Sequence, residues 1–215
     1  MKKILASIIA VVLAVSGLSV ISITANAATI FISGNYEYTV NSDDTVNIAG
    51  YKGIATDITI PSQILNKNVV KISANSFYNN STLTSVKIPN TIKVVGSMAF
   101  YGCKSLSSVT LPNTLTEIGY SAFSRTTALT TISIPKTVTK AGSNVFEDSG
   151  LKTATIENGT AVVADNLFSN AKNLTKVTIP NTVKKIGSMS FYGCKSLSSV
   201  TLPNTLTEIG YSAFS

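Results

Sequence analysis

The chain has 215 residues, of which 44% are hydrophobic and 13% charged, with a formal net charge of +7. It contains no histidine, which excludes Ser-His-Asp and Cys-His nucleophile arrangements and most zinc sites. A basic chain can attract anionic polymers such as nucleic acid, but these lysines are scattered, so the charge favours solubility and predicts no nucleic-acid partner.

The N-terminus has the organisation of a secretory signal peptide. Two lysines precede an apolar run over residues 4–23, and Ala25-Asn26-Ala27 forms a small-residue cleavage motif. We predict a signal peptide over residues 1–27. The alternative is an uncleaved anchor, since the run is long enough to span a bilayer. Serine and glycine interruptions favour cleavage, which would leave no stable membrane span.

From residue 54 to residue 215 the sequence repeats about every 23 residues, and the last repeat is incomplete. Phenylalanines mark the period in steps of 23, 23, 23, 22, 23 and 23 residues: Phe77, Phe100, Phe123, Phe146, Phe168, Phe191 and Phe214. A fixed period of this length predicts a solenoid of stacked coils. Each coil opens with an L-x-x-V-x-L frame, as at Leu106–Leu111, which predicts a parallel sheet of about seven short strands.

Two recurring features punctuate each coil. All six prolines end a frame strand, where the missing N–H is tolerated. Glycine stands four residues before the phenylalanine in five coils: Gly96, Gly119, Gly142, Gly187 and Gly210. Such a glycine fits either a positive φ or close backbone approach, although Ser73 and Ala164 at the same place argue against a positive φ in every coil. The residues that follow predict one short helical or 3-10 turn.

Irregularities in the repeat fall in its turns. The single 22-residue step places a one-residue deletion within residues 147–150, and the first coil is extended at residues 63–67. Cys103 and Cys194 occupy the same coil position, four coils apart. At ~4.8 Å per coil they are separated by roughly 19 Å, whereas a disulfide needs Cα atoms within ~7 Å. We therefore predict no bridge between them, and inert thiols in a column of small residues.

The repeat pattern resembles the BspA-type bacterial leucine-rich repeats, and Phe100-Tyr-Gly-Cys103-Lys-Ser-Leu106 is a close match. The stretch from Tyr36 to Tyr51 is similar to the hairpin that precedes such arrays. The resemblance implies an N-terminal β-hairpin cap over residues 28–53 and a leucine-rich-repeat fold over residues 54–215. It also implies a secreted or surface-displayed protein, with adhesion to matrix proteins or other cells as the expected function.

One outward residue lies between the two inward residues of each frame strand. We predict that these residues form the candidate ligand face: Thr59, Lys87, Thr110, Ser133, Thr155, Thr178 and Thr201. The alternative is that threonine merely suits an exposed strand. If the ligand is a protein, tyrosines on the turns are better anchors, unless they pack on neighbouring coils: Tyr78, Tyr101, Tyr120, Tyr192 and Tyr211.

Carboxylates are few and lie on turns of different coils, which argues against a glycosidase-like pair. Asp43-Asp44 suits a hairpin turn better than a calcium site. We predict no enzyme activity, no metal and no cofactor. The predicted function is an extracellular binding module for a protein or glycan ligand. Two alternatives stay open: a structural spacer that displays another domain, or the N-terminal part of a longer secreted hydrolase.

The C-terminal coil raises a separate expectation. Gly96–Ser124 and Gly187–Ser215 are identical except at Ala99 and Ser190, which suggests duplication of a four-coil block. Solenoids need a terminal cap, and the sequence stops directly after Phe214. We therefore expect a longer array, or end-to-end association through an uncapped C-terminal coil.

Overall fold

The coils place short strands in two separate rows that run along a β-solenoid, and the predicted solenoid class is confirmed. The computed structural model describes residues 20–21 and 29–215. The predicted signal peptide lies outside these residues apart from Val20–Ile21, and it stays a prediction. The N-terminal strands form an antiparallel meander: β1 (Val20–Ile21), β2 (Ile30–Ser33), β3 (Tyr36–Val40) and β4 (Val46–Tyr51).

The first row contains the frame strands that the sequence predicts. They are β5 (Asp57–Thr59), β8 (Ser85–Lys87), β10 (Ser108–Thr110), β12 (Thr131–Ile134), β14 (Thr153–Ile156) and β16 (Lys176–Thr178). The row divides into two parallel three-stranded sheets, with β5, β8 and β10 in one and β12, β14 and β16 in the other. The seventh frame, near Thr201, is not a strand, so six of about seven expected strands form.

A second row of strands was not anticipated from the sequence. The first coil supplies β6 (Gln63–Ile64) and β7 (Lys67–Ile72), a hairpin at the predicted extension. Later coils supply β9 (Val94–Val95), β11 (Glu117–Ile118), β13 (Lys140–Ala141), β15 (Val162–Val163), β17 (Lys185–Ile186) and β18 (Glu208–Ile209). The meander joins this second row, because β4 pairs in parallel with β7.

The core is a single stack of buried side chains between the two rows. Successive phenylalanine rings stack along it with centroids 4.9 Å apart for Phe77–Phe100 and 5.8 Å apart for Phe146–Phe168. Tyr51 extends this stack into the meander, 5.5 Å from Phe77. The meander therefore covers the first coil by continuing its aromatic stack.

Close backbone approach explains the glycine column. A Cβ on Gly142 would lie 2.3 Å from the amide nitrogen of Tyr120, and one on Gly119 would lie 2.4 Å from that of Ser97. Neither glycine has a positive φ. The column therefore lets adjacent coils touch through their backbones. Of the two interpretations that the sequence allowed, close backbone approach is correct and a positive φ is not.

The second row is interrupted where this column has an alanine. Ala164 follows β15, and β15 does not pair with β13. Between the coil of Phe123 and the next coil, the amides of Phe123 and Arg125 donate to carbonyls of that next coil, both at 2.9 Å. Within the described residues, Phe146 and Asp148 form no such bond. Two features coincide with this discontinuity: the methyl group of Ala164 and the one-residue deletion within residues 147–150.

The prediction of a helical turn before each phenylalanine is wrong, because no helix forms among the described residues. The residue two positions before each phenylalanine has a positive φ, as Met98 (54°) and Ser121 (49°) do. This conformation interrupts a helix and directs alternate amides along the solenoid axis. Phe100 thus donates to the carbonyl of Ala122 in the next coil at 2.8 Å.

Candidate functional site

The candidate ligand face is an exposed, in-register column on the first row of strands. The parallel registers place Thr59 beside Lys87, Lys87 beside Thr110, and Ser133 beside Thr155. All seven predicted residues are exposed, including Thr201, which lies beyond the last frame strand. Burial alternates along β12, where Ile132 and Ile134 point inward. The column's geometry agrees with the sequence prediction, while its role in ligand binding stays a prediction.

A small cleft interrupts the candidate ligand face between β10 and β12. It has a volume of about 270 Å³ and is lined mainly by hydroxyl side chains, among them Ser108, Thr131 and Ser133. Val109, on the edge strand β10, is only partly buried there, unlike Val86 on the middle strand β8 of the same sheet. The face therefore consists of two short sheets rather than one continuous surface.

The outer tyrosines show both behaviours that the sequence left open. Tyr78 and Tyr101 stack with centroids 5.1 Å apart, and the guanidinium of Arg125 lies 5.4 Å from the Tyr101 ring centre. Tyr78 nevertheless keeps 46% of its surface exposed. Tyr120, Tyr192 and Tyr211 are also exposed. Such side chains suit protein contacts, so this outer stack is a second exposed surface that carries potential anchors.

A groove of about 500 Å³ lies between the meander and the first coil, and we call it the N-terminal groove. Its floor includes β5, and the two hairpin turns at Gly34 and Leu65 form its sides. Tyr36 and Tyr51 line it with their ring centres 5.2 Å apart. Burial, and then the nearby Tyr51, raise the pKa of Tyr36 to about 12. Sequence reasoning missed this groove because its two sides are distant in the chain.

Two of the acidic residues, Asp43 and Glu208, hold structural positions. Asp43 accepts hydrogen bonds from the amide and hydroxyl of Thr45 at 3.2 and 2.6 Å, and these bonds lower its pKa. Lys185 pairs with Glu208 at 2.7 Å, as the coil register predicts. The corresponding Glu117 and Lys140 share a register but form no ion pair in the described chain. Residues 20–21 and 29–215 contain no group of three or more His, Cys, Asp or Glu placed to hold a metal ion.

The two cysteines are free thiols. Cys103 donates to the carbonyl of Phe77 at 3.0 Å, and Cys194 donates to that of Phe168 at 3.1 Å. Thr126 and Ser149 make the corresponding bonds in their own coils, both at 2.7 Å. Ala171 stands at the same position without a donor, so the column selects small side chains, and the thiols and hydroxyls among them bond to a phenylalanine carbonyl.

When both thiols are removed, we expect the stability of the protein to fall less steeply as the pH rises above about 9. Burial raises the pKa of Cys103 and Cys194 from 9.0 to about 12. Since the unfolded chain ionises its thiols first, their contribution is complete below about pH 9 and is lost as the pH rises through about 12. We expect the Cys103→Ser/Cys194→Ala variant to show a shallower fall of the urea midpoint between pH ~9 and ~11. An unchanged slope would contradict this account.

Stacked coils with L-x-x-V-x-L strands and a phenylalanine core define a leucine-rich-repeat solenoid. The chain belongs to the BspA type leucine-rich repeat family, which matches it in six copies over residues 54–175 and 161–215. No curated protein matches the chain. Among the described residues, no helical segment combines the length and hydrophobicity that crossing a membrane requires.

Three bacterial proteins with solved structures share this fold. A leucine-rich cell surface protein from Faecalibacterium prausnitzii is 37% identical, with a TM-score of 0.71; the match covers 88% of this chain and 52% of that one. A Bacteroides capillosus leucine-rich repeat protein is 30% identical, with a TM-score of 0.56 and coverage of 60% and 99%. The T. pallidum leucine-rich repeat protein is 25% identical, with a TM-score of 0.58 and coverage of 77% and 89%. The chain therefore spans about half the length of the Faecalibacterium protein.

Proposed function

We propose that this chain is a non-catalytic binding module, exported and displayed outside the cell, that adheres to a protein or glycan through the candidate ligand face. The observation that carries the proposal is the exposed column of polar side chains, which are in register within each of the two sheets of the first row. A repeated surface of this kind presents many equivalent contacts to an extended ligand. The likeness to a bacterial cell surface protein supports display outside the cell.

Immobilised fibronectin, collagen, laminin and mucin glycans provide the first test. We expect saturable binding of the processed protein to at least one of them. Replacement of Thr110, Thr155 and Thr178 by lysine should weaken that binding at least tenfold. Lys87 already occupies this column, so the substitutions are compatible with the fold.

A matched control carries the same added charge elsewhere. Thr116, Thr139 and Thr207 form an exposed column in which Lys93 and Lys184 stand in other coils. Lysine at these three threonines should leave binding unchanged. If the unmodified protein binds nothing in the panel, or if both lysine variants bind alike, the candidate ligand face is not the adhesive surface.

A further inference from the structure

We propose that the N-terminal groove binds an extended peptide segment of a partner protein, which adds to β5 as one further parallel strand. This inference rests on the proposed function and deepens it, because it places one protein contact at the end of the candidate ligand face. Thr59 is both the first residue of that face and part of the groove.

Among the described residues, no strand pairs with β5 on its groove side. The strand is the last in its sheet and pairs only with β8 among the described strands. The carbonyl of Thr56 accepts from the amide of Ser85, and the amide of Ile60 donates to the carbonyl of Lys87. The backbone N–H and C=O groups of the even-numbered residues therefore point toward β8. Backbone groups alternate in direction along a strand, and those of Asp57 and Thr59 therefore point toward the groove.

The meander leaves this edge open because it joins the other row of strands. It covers the first coil through the pairing of β4 with β7. Ile58 is consequently only half-buried, whereas its register partner Val86 is 1% exposed. An unpaired strand edge beside incompletely covered apolar side chains is a site for strand addition.

The groove has room for a short segment and apolar surface to hold it. Its volume of about 500 Å³ lies within the range of well-formed ligand sites, roughly 300–1,000 Å³. The three residues of β5 span roughly 10 Å at ~3.3 Å per residue. Leu65 is 52% exposed at one side, and Tyr36 and Tyr51 supply aromatic contacts.

The sheet itself indicates which segment fits. Among the lining residues Asp57 is the charged one, and its carboxylate accepts from the hydroxyls of Thr56 and Thr84 at 3.1 and 3.2 Å. A lysine on the added strand beside Asp57 would form an opposite-charge cross-strand pair. We therefore infer a segment that has a lysine in register with Asp57, followed by apolar residues at every second position.

This chain contains a sequence of that kind. Lys176 holds the same position in its frame strand as Asp57 holds in β5, and it is followed by Val177 and Thr178. The peptide Asn-Leu-Thr-Lys-Val-Thr-Ile-Pro, residues 173–180, is therefore a suitable probe. In a parallel strand added to β5, its lysine would lie beside Asp57 and its valine would lie in register with Ile58.

Two variants of Thr59 separate main-chain recognition from hydroxyl recognition. Thr59→Pro removes the outward N–H but none of the bonds to β8, and proline is tolerated at a strand edge. Thr59→Val keeps that N–H and removes the hydroxyl. Fluorescence anisotropy with the labelled peptide should show binding to the unmodified protein and to Thr59→Val. We expect at least tenfold weaker binding to Thr59→Pro and severalfold weaker binding to Asp57→Asn.

A second measurement does not depend on how well the proline variant folds: the peptide is titrated into the unmodified protein, and the amide resonances are followed by NMR. The amides of Asp57 and Thr59 should shift on addition of the peptide, and a Lys176→Glu peptide should shift them less. Equal losses for Thr59→Pro and Thr59→Val would overturn strand addition. So would unshifted Asp57 and Thr59 amides at millimolar peptide. If the matrix panel still binds in that case, the groove proposal fails and the proposed function stands.

Discussion

Replacing Phe123 with alanine is expected to lower the free energy of unfolding by about 3–5 kcal/mol. Phe123 is fully buried and stacks between Phe100 and Phe146, with ring centroids 5.2 and 5.7 Å apart. Loss of the ring leaves a cavity shared by two coil junctions, and a solenoid has no distant contacts to compensate. Urea unfolding of the unmodified and variant proteins measures the difference.

The control for this prediction lies at the end of the same stack. Phe214 is 43% exposed and stacks on one described neighbour, Phe191, at 5.1 Å. Phe214→Ala should therefore cost only about 1–2 kcal/mol, since less apolar surface is buried there. Equal losses at Phe123 and Phe214 would show that stacking between coils is not what stabilises the array.

The repeat period and the frame strands could be predicted from the sequence because both have a physical signature. Val109 and Leu111 alternate with polar residues, and Pro112 ends the strand. The second row could not be recognised in this way. Its later strands, such as β11, have two residues, too few to show any period. Their pairing comes from the stacking of coils around the aromatic core.

The turn conformation could not be predicted from residue types alone. Asn75 and Asn144 are residues that tolerate a positive φ, but Met98 and Ser121 in the same column are not typical of it. The inter-coil hydrogen bonds decide the conformation, because a positive φ aims the following amides at the next coil. A helix would have used those amides within the coil. Tertiary hydrogen bonding therefore overrides local preference here.

Only part of the candidate site follows from repetition. The column that includes Thr110 and Thr155 could be predicted, because it recurs in every frame. The N-terminal groove occurs once, where the meander meets the first coil, so no periodic pattern marks it. The cleft beside Thr131 likewise depends on how two particular coils sit against each other. Unique features of a solenoid arise where its repetition fails.

Replacing Gly142 with alanine is expected to separate β11 from β13 and to cost about 2–4 kcal/mol. The new methyl group would lie 2.3 Å from the amide nitrogen of Tyr120, and backbone atoms cannot move aside as a flexible side chain can. The amides of Lys140 and Gly142 donate across this junction at 3.1 and 2.8 Å. Their hydrogen exchange should accelerate at least tenfold, and the urea midpoint should fall. Unchanged exchange would show that the glycine column is not required for close approach.

The reverse substitution tests the same cause at the natural discontinuity. Ala164→Gly removes the methyl group that stands where Gly142 stands in the preceding coil. If this methyl group keeps β13 and β15 apart, the amide at position 164 should become protected from exchange in the variant, because it can then approach the carbonyl of Ala141. If protection does not increase, the one-residue deletion at residues 147–150 is the cause instead. Restoring one residue there should then join the two strands, which would locate the origin of the discontinuity in the outer turn.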